Sequence, residues 1–277
     1  MESVRNLSAR PSWNPFDCRG TALPPHHLLA AKLLALYLAA TGQIGLLPER
    51  FLPFWAPLDR IGHPEALRLL CQIVMAAAIA GLFVNRAVRL NSFLIGSVLL
   101  FSTLASRVYF QNNIVLFGCL LFLIGLQDAD RNVWMPRLQV VLVYLGAGLN
   151  KLFDADWRNG QYFEFWTHDI LRQEAYARAA AALPPLFLSR AVSWATIAVE
   201  LGLAAAFAVP RTRPAAITAG IAFHAAMLVF TGGLVSVPFF CGMLAAYLFF
   251  LKRAPGPAWA YAAGTLALLS SFGRIRF

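Results

Sequence analysis

The chemistry in this sequence begins with a lysine at the end of an apolar run. Three of the 23 basic residues are lysines, and only lysine can act as a base, since arginine is effectively never deprotonated in proteins. Lys151 follows Tyr144 and Gly148 at the spacing i, i+4, i+7, which places all three on one helix face. A partly desolvated amine there could take a proton near neutral pH. The alternative is an interfacial lysine that pairs with Asp154 or Asp156.

Two further ionisable residues lie deep within apolar runs. Glu200 and His224 occupy runs joined by the tight turn 210–214, which predicts an antiparallel helical hairpin. At about 1.5 Å per residue, both side chains fall at a similar depth. They form either a buried structural pair that locks the hairpin or a proton-handling pair, because histidine titrates near neutral pH.

Three other side chains suit a polar contact at the edge of an apolar environment. Asn112 and Asn113 could cap a helix, or they could exchange hydrogen bonds with a ligand in an apolar pocket. Trp157 is of the type that lies at membrane interfaces. The residue types alone leave these alternatives open.

The elements that must position these residues are membrane helices. Hydrophobic residues make up 59% of the chain and charged residues only 13%, about half the charged share of an ordinary soluble domain. The apolar runs are unbroken, which excludes the alternating pattern of barrel strands. A helical span takes about 20 apolar residues. The predicted fold is therefore all-α, a polytopic helical membrane protein with eight to nine transmembrane helices, near 28–47, 67–84, 90–106, 108–126, 136–152, 191–209, 214–231 and 234–251, with a ninth near 258–272.

The basic residues are distributed among the connections between spans. The formal net charge is +10, but no basic patch interleaved with aromatic residues indicates nucleic-acid binding. Pairs of basic residues fall in alternate connections, at 86–89, 211–213 and 252–253. The positive-inside rule places these connections in the cytoplasm, together with the N-terminus.

The chain is expected to divide into a tail and one membrane domain. Residues 1–27 lack the apolar core and cleavage pattern of a signal peptide, so they are predicted to be a cytoplasmic or interfacial tail. Residues 28–277 form a single transmembrane domain. Its outward-facing loop 153–190 contains a predicted amphipathic helix over 168–183, which either caps the domain or lies on its surface.

Three blocks of the sequence resemble one known family. The first, VYLGAGLNKLFDADWRNG over 143–160, has small residues before a lysine-leucine pair and then acidic residues, tryptophan and glycine. The second runs over 200–236, and the third, over 111–130, is similar more loosely. In order and character they resemble the vitamin K-dependent gamma-carboxylases and their bacterial relatives, the horizontally transferred transmembrane (HTTM) domain proteins.

This resemblance implies roles for the residues above. In the carboxylases, the lysine of the first block is assigned as the base that deprotonates reduced vitamin K, whose oxidation by oxygen drives addition of carbon dioxide to a substrate. By resemblance, Lys151 is the base, and we hypothesise that Glu200 and His224 relay protons. The same hypothesis assigns binding of the quinone or hydroquinone to Asn112, Asn113, Tyr144, Gly148 and Trp157.

The sequence also departs from the carboxylases. Ile114 stands where they have a histidine after the Asn-Asn pair, and the chain has no counterpart of the extramembrane region that holds their substrate. We therefore expect a small enzyme of a bacterial inner membrane that oxidises a lipophilic quinol with O2, coupled or not to the use of CO2 on a small or peptide substrate. No metal is predicted.

Two other functions fit the same residues. A proton-coupled transporter would use Glu200 and His224 as its coupling pair, although no inverted repeat is visible. A maturation or assembly partner for a secreted peptide would need no catalytic residues at all.

Overall fold

The computed structural model shows an all-helical protein in the part of the chain that it describes. The described residues are 14–19, 21–44, 52–61, 63–107, 110–128, 133–230 and 237–251. The prediction of a ninth span near 258–272 lies outside them. The helices, numbered in chain order, are α1 Pro25–Ala40, α2 Pro64–Phe83, α3 Val88–Ala105, α4 Asn112–Gly125, α5 Met135–Phe153, α6 Ala155–Asn159, α7 Gln161–Glu164, α8 Glu174–Ala181, α9 Phe187–Ala208, α10 Arg213–Phe230 and α11 Val237–Tyr247.

Four of these helices are long and apolar enough to cross a membrane. They are α2, α3, α9 and α10, and shorter apolar helices occur at Asn112–Gly125 and Phe239–Phe250. The prediction of a helical membrane protein is confirmed at this level. The larger number of eight to nine spans stays a prediction, as does the cytoplasmic N-terminus.

The first helix is shorter than the predicted span 28–47. It ends at Ala40, where the backbone N–H and the hydroxyl of Thr41 donate to the Tyr37 carbonyl at 3.0 and 2.8 Å. Gly42 follows with a φ of 71°, a left-handed conformation that commonly terminates helices. The helix begins at Pro25, which suits a first turn because its missing N–H has no helical partner to lose.

The N-terminal residues that the structure describes are tied to α1 by a lysine. Lys32 is fully buried, and its Nζ donates to the carbonyls of Pro15 at 2.6 Å and Asp17 at 2.9 Å. Asn85 Nδ2 also donates to the Asp17 carbonyl, at 2.8 Å. Lys32 therefore holds the entry segment against the first two helices.

The long helices pack mainly against their neighbours in the chain. α3 packs along α2 and α4, while α10 packs against α9. The pair that matters for the site is α5 with α9, which the segment 154–186 connects. α11 contacts α1, α4 and α10, and α4 also contacts α5.

The connection between α5 and α9 is folded against the start of α9. Trp194 Nε1 donates to the Arg158 carbonyl at 3.2 Å, and Arg190 Nε donates to the Asn159 carbonyl at 3.4 Å. Gly160 has a φ of 87°, and a Cβ there would lie 2.6 Å from the Arg190 backbone nitrogen. A residue with a side chain could not make this approach without displacing α9.

The predicted amphipathic helix over 168–183 is wrong in its extent. Residues Phe165–Ile170 form a π-helical turn, and α8 begins only at Glu174. Arg172 has a φ of 49°, which is incompatible with a continuous right-handed helix. The break lets the Gln173 N–H donate to the Thr167 carbonyl at 3.1 Å, so the chain turns back across its preceding helical turn.

Candidate functional site

Lys151 forms an ion pair with Glu200 across the interface of α5 and α9. Its Nζ donates to both carboxylate oxygens at 2.8 Å. The two side chains are only 19% and 10% exposed, so this Lys–Glu pair is shielded from most of the screening that weakens surface ion pairs. The Lys151 ammonium also lies 5.1 Å from the ring centroid of Trp157, within the range of a cation–π contact.

The aspartates that follow Lys151 have a different structural role. The carboxylate of Asp154 accepts the Asp156 backbone N–H at 2.8 Å and so caps the N-terminus of α6. The pairing of Lys151 with either aspartate, which the sequence left open, is not formed. Helix α9 instead supplies the carboxylate from 49 residues further along the chain.

The Lys–Glu pair lies in the wall of a cavity of about 450 Å³. The lining includes Thr167 and Thr196, whose hydroxyls donate to backbone carbonyls at 2.7 and 2.9 Å. These hydroxyl protons are therefore not available to a ligand. Lys151 and Glu200 are therefore the charged residues of a described lining that is otherwise mostly aromatic and aliphatic. We call this space the aromatic cavity, after the six rings in its lining: Trp157, Tyr162, Phe163, Trp166, Phe223 and Phe230.

The rings of the aromatic cavity are held in fixed relations. Trp157 stacks on Tyr162 with centroids 4.8 Å apart, and Phe163 stacks on Phe230 at 5.6 Å. Tyr176 of α8 packs behind Phe163 at 6.0 Å and donates its hydroxyl to Glu164. Burial raises the pKa of Tyr176 to about 12, and the hydrogen bond to Glu164 adds to this rise. The segment after α5 thus forms one ordered wall of the cavity.

A second polar group lies deeper along α5. Hydrogen bonds join the Tyr144 hydroxyl to His224 Nε2 at 2.8 Å and to the Tyr247 hydroxyl. All three residues are buried, and we call them the Tyr–His network. Tyr144 precedes Lys151 by two helical turns, about 10 Å at 1.5 Å per residue. The network and the Lys–Glu pair are thus two separate polar groups on one helix face.

Two glycines make the close contacts of these groups possible. A Cβ at Gly148 would lie 2.7 Å from Leu201 Cδ2 and 3.3 Å from the Leu201 backbone nitrogen, so its absence lets α9 approach next to Glu200. A Cβ at Gly220 would lie 2.7 Å from Tyr247 Cζ and closer still to its hydroxyl. Gly148 therefore admits α9 next to the end of α5.

The comparisons with known proteins bear on this part of the chain. Residues 131–254 match the family model described as the HTTM domain. This part of the chain is similar to the HTTM domain. At the level of the family, this domain suggests a relationship to the vitamin K-dependent carboxylases. The comparison with curated proteins found no match, and neither did the comparison with solved structures.

The residues that match the HTTM domain include both polar groups and the described aromatic lining of the cavity. The match begins before α5 and ends just after α11, so α5, α9, α10 and α11 all belong to it. Of the residues predicted from the sequence, Tyr144, Gly148, Lys151, Trp157, Glu200 and His224 fall inside its range.

The structure does not bring Glu200 and His224 into one hydrogen-bonded pair. Their similar depth was predicted from residue counts, which say nothing of the direction in which each side chain points. Glu200 turns to Lys151 of α5, whose ammonium offers it a charge-assisted hydrogen bond. His224 bonds instead to Tyr144.

The predicted asparagine pair lies apart from the aromatic cavity. Asn112 and Asn113 are the first two residues of α4, and they precede the HTTM domain match. Neither residue lines the cavity. Asn112 is exposed and Asn113 is half-buried, so their position at a helix start agrees with the alternative of a role at the helix end.

Sequence reasoning missed Tyr247 and most of the aromatic lining. Tyr247 lies at the end of α11, more than 100 residues from its partner Tyr144. An apolar run gives no sign of which of its aromatic residues will face a cavity. Two signals were available: a tyrosine hydroxyl within a membrane helix needs a partner, and Gly220 could provide the space for one.

Proposed function

We propose that this protein binds a reduced quinone-type ring in the aromatic cavity and promotes its oxidation by O2, with Lys151 as the base. The observation that carries this proposal is the Lys–Glu pair, a nearly buried amine and carboxylate in an aromatic wall. The family relationship of the domain to vitamin K-dependent carboxylases gives the chemistry its direction.

The residues of the cavity suit such a ligand. Its volume of about 450 Å³ falls within the usual range for small-molecule sites, roughly 300 to 1,000 Å³. Stacked rings such as Trp157 and Tyr162 offer flat apolar faces, which favour an aromatic ligand with a hydrocarbon tail. A ring hydroxyl would find its polar partners at Lys151 and Glu200.

Glu200 gives Lys151 a means of becoming a base. An ammonium cannot accept a proton, so the amine must first be neutral. At 2.8 Å, the Glu200 carboxylate can take that proton, and a neutral amine–acid pair avoids the cost of two buried charges. Lys151 Nζ could then receive a proton from a ligand hydroxyl while Glu200 retains the first. A bound hydroquinone would supply two electrons to O2, which would end as hydrogen peroxide when the quinone forms, or as the epoxide oxygen and water when the epoxide forms.

The tyrosines and histidine of the second polar group would take a supporting part. Phe223 lines the aromatic cavity and packs its ring 5.2 Å from that of His224. The Tyr–His network therefore lies just behind the cavity wall. We assign it the positioning of α5 against α10 and α11 and, with Glu200, the passage of protons away from Lys151. Coupling to CO2 rests on the family relationship alone, so the oxidation is the step to test first.

The test uses the purified protein in lipid nanodiscs with reduced vitamin K and O2. Formation of the quinone or its epoxide is followed by mass spectrometry of the extracted lipids. The proposal expects turnover by the wild type and a loss of at least about a hundredfold in Lys151→Arg. Arginine keeps the positive charge and can pair with Glu200, but it cannot give up its proton. The exposed acid Glu174 provides a control, and Glu174→Gln should keep its activity.

Absence of oxidation by the folded wild type would overturn the proposal. Retention of turnover by Lys151→Arg would show that the cation serves only as an ion-pair partner. The competing function, proton-coupled transport, is supported by the buried ionisable groups of α5, α9 and α10. Solute uptake into proteoliposomes that survives Lys151→Arg but not Glu200→Gln would favour it.

A further inference from the structure

A second cluster of charged residues surrounds Phe249 and Phe250, which end the short 3₁₀ turn after α11. Arg137 Nε donates to the Phe249 carbonyl at 2.6 Å. The guanidinium carbon of Arg213 lies 5.6 Å from the centroid of the adjacent Phe250 ring, and its Nε donates to the Phe207 carbonyl at 3.0 Å. Both arginines are half-buried.

Two histidines complete this arrangement. The His27 ring meets the Phe249 ring edge-on at 5.0 Å, and His26 lies 4.5 Å from His27. His27 is fully buried, with its Nδ1 joined to Gln127 Oε1 at 2.7 Å. Its Nε2 and the Gln127 Nε2 are buried without a hydrogen-bond partner among the described residues. Buried nitrogens of this kind are costly when left without a partner. We call Arg137, Arg213, His26 and His27 the Arg–His cluster.

The charge of this cluster is not balanced by the protein residues that the structure describes. Arg137 and Arg213 contact the adjacent residues Phe249 and Phe250, and neither forms an ion pair with a described carboxylate. Asp128, next to Gln127 in the chain, is paired with Arg89 at 2.5 Å. Toward the residues that the structure describes, the hydrogen bonds of both arginines use Nε, and their terminal nitrogens can bind a further acceptor.

The cluster lies at the opposite end of the helices from Lys151. Arg213 begins α10, Arg137 is in the first turn of α5, and the histidines are in the first turn of α1. Lys151 is in the last turn of α5. By the positive-inside rule, the end with Arg213 is the predicted cytoplasmic one, where anionic lipids bind basic pockets between membrane helices.

We propose that the Arg–His cluster is a binding site for a phosphate group, carried by an anionic phospholipid headgroup or by free phosphate. The planar guanidinium groups of two arginines suit phosphate oxygens. The alternative is that both arginines only cap helix ends, since the carbonyls they bind lie at the ends of α9 and the 3₁₀ turn.

The test measures ligand-induced changes in the unfolding temperature of the full chain in detergent. The probes are short-chain phosphatidylglycerol, phosphatidylcholine of the same chain length, and inorganic phosphate at constant ionic strength. We expect a rise with the anionic lipid that exceeds the rise with phosphatidylcholine, because a ligand that binds only the folded state stabilises it. Arg137→Gln and Arg213→Gln should each weaken the apparent affinity by about tenfold.

Arg211→Gln is the matched control, because Arg211 lies in the same turn as Arg213 but is exposed. It should leave the response unchanged. An equal response to inorganic phosphate, lost in the same two variants, assigns the site to free phosphate, while a response to the lipid alone assigns it to a headgroup. An equal effect of Arg211→Gln, or no response to either anion, would overturn the proposal.

If a glutamine variant does not fold, the corresponding lysine variant, Arg137→Lys or Arg213→Lys, takes its place in the binding test. Each keeps the charge but loses the planar fork, so the affinity should fall less than in the glutamine variants. Counting co-purified lipids by native mass spectrometry gives a second readout. Unchanged lipid counts in both lysine variants, together with an unchanged thermal response, would contradict a built phosphate site.

Discussion

The ammonium of Lys151 donates to both carboxylate oxygens of Glu200 at 2.8 Å and thereby joins the end of α5 to the middle of α9. This contact is at once a tertiary link and the charged part of the aromatic cavity. Its two roles can be separated, because stability depends on the pairing of charges whereas the proposed oxidation depends on a removable proton.

The stability of the Lys–Glu pair is tested by removing one partner or both. Lys151→Met and Glu200→Met should each lower the free energy of unfolding by about 3 kcal/mol, because one charge stays buried alone. The double variant should be more stable than either single variant, since two apolar side chains leave no unpaired charge. Unfolding temperatures and denaturation curves in detergent measure this coupling.

The exposed ion pair of Arg89 and Asp128 is the control for this cycle, with side chains 40% and 51% exposed. Asp128→Asn should cost at most about 1 kcal/mol. Strict additivity of the two methionine substitutions would show that Lys151 and Glu200 do not interact.

The approach of α9 to α5 depends on Gly148. Gly148→Ala should destabilise the protein by about 1 to 3 kcal/mol through overpacking against Leu201, and it should reduce any Lys151-dependent activity by moving Glu200. The control is Gly146→Ala, because a Cβ at Gly146 meets nothing within 4 Å. That change should be neutral or stabilising by up to about 1 kcal/mol. Equal thermal shifts in the two variants would contradict this packing.

The space for the Tyr247 hydroxyl depends on Gly220. Gly220→Ala should push Tyr247 away and break its hydrogen bond to Tyr144, with a loss of about 2 kcal/mol of stability. Gly202→Ala is the matched change in α9, where a Cβ has open space around it. Thermal unfolding compares the two. If Tyr247→Phe added its full cost to that of Gly220→Ala, the glycine would not act through this hydroxyl.

The binding role of Trp157 is tested with an oxidised quinone as the probe. Trp157→Leu removes a stacked ring and the cation–π contact of Lys151, so the affinity for menadione should fall by about tenfold. Isothermal titration measures the dissociation constant without turnover. Trp134→Leu is the control, since Trp134 is 55% exposed and lies just before α5. Equal affinities of the two variants would exclude Trp157 from the ligand site.

The helical class and the approximate positions of the long helices were predictable because unbroken apolar runs have few structural outcomes in a membrane. The helix ends were less predictable: α1 stops at Ala40, shortly before Gly42 adopts a left-handed conformation. The break at Arg172 was also missed, since local pattern favoured one continuous helix over 168–183. In both places, local backbone geometry overrode the apolar pattern.

The sequence alone determined which residues were chemically unusual: a lysine after a small-residue stretch, a glutamate and a histidine within apolar runs, and a family resemblance that the domain match confirmed. Only the tertiary structure decided their partners. Residue counting gives depth along a helix but not the direction of a side chain around it. Helix packing decides which helix faces are in contact. Lys151 therefore pairs with Glu200. His224 forms a hydrogen bond with Tyr144 and not with Glu200, whose predicted depth is similar.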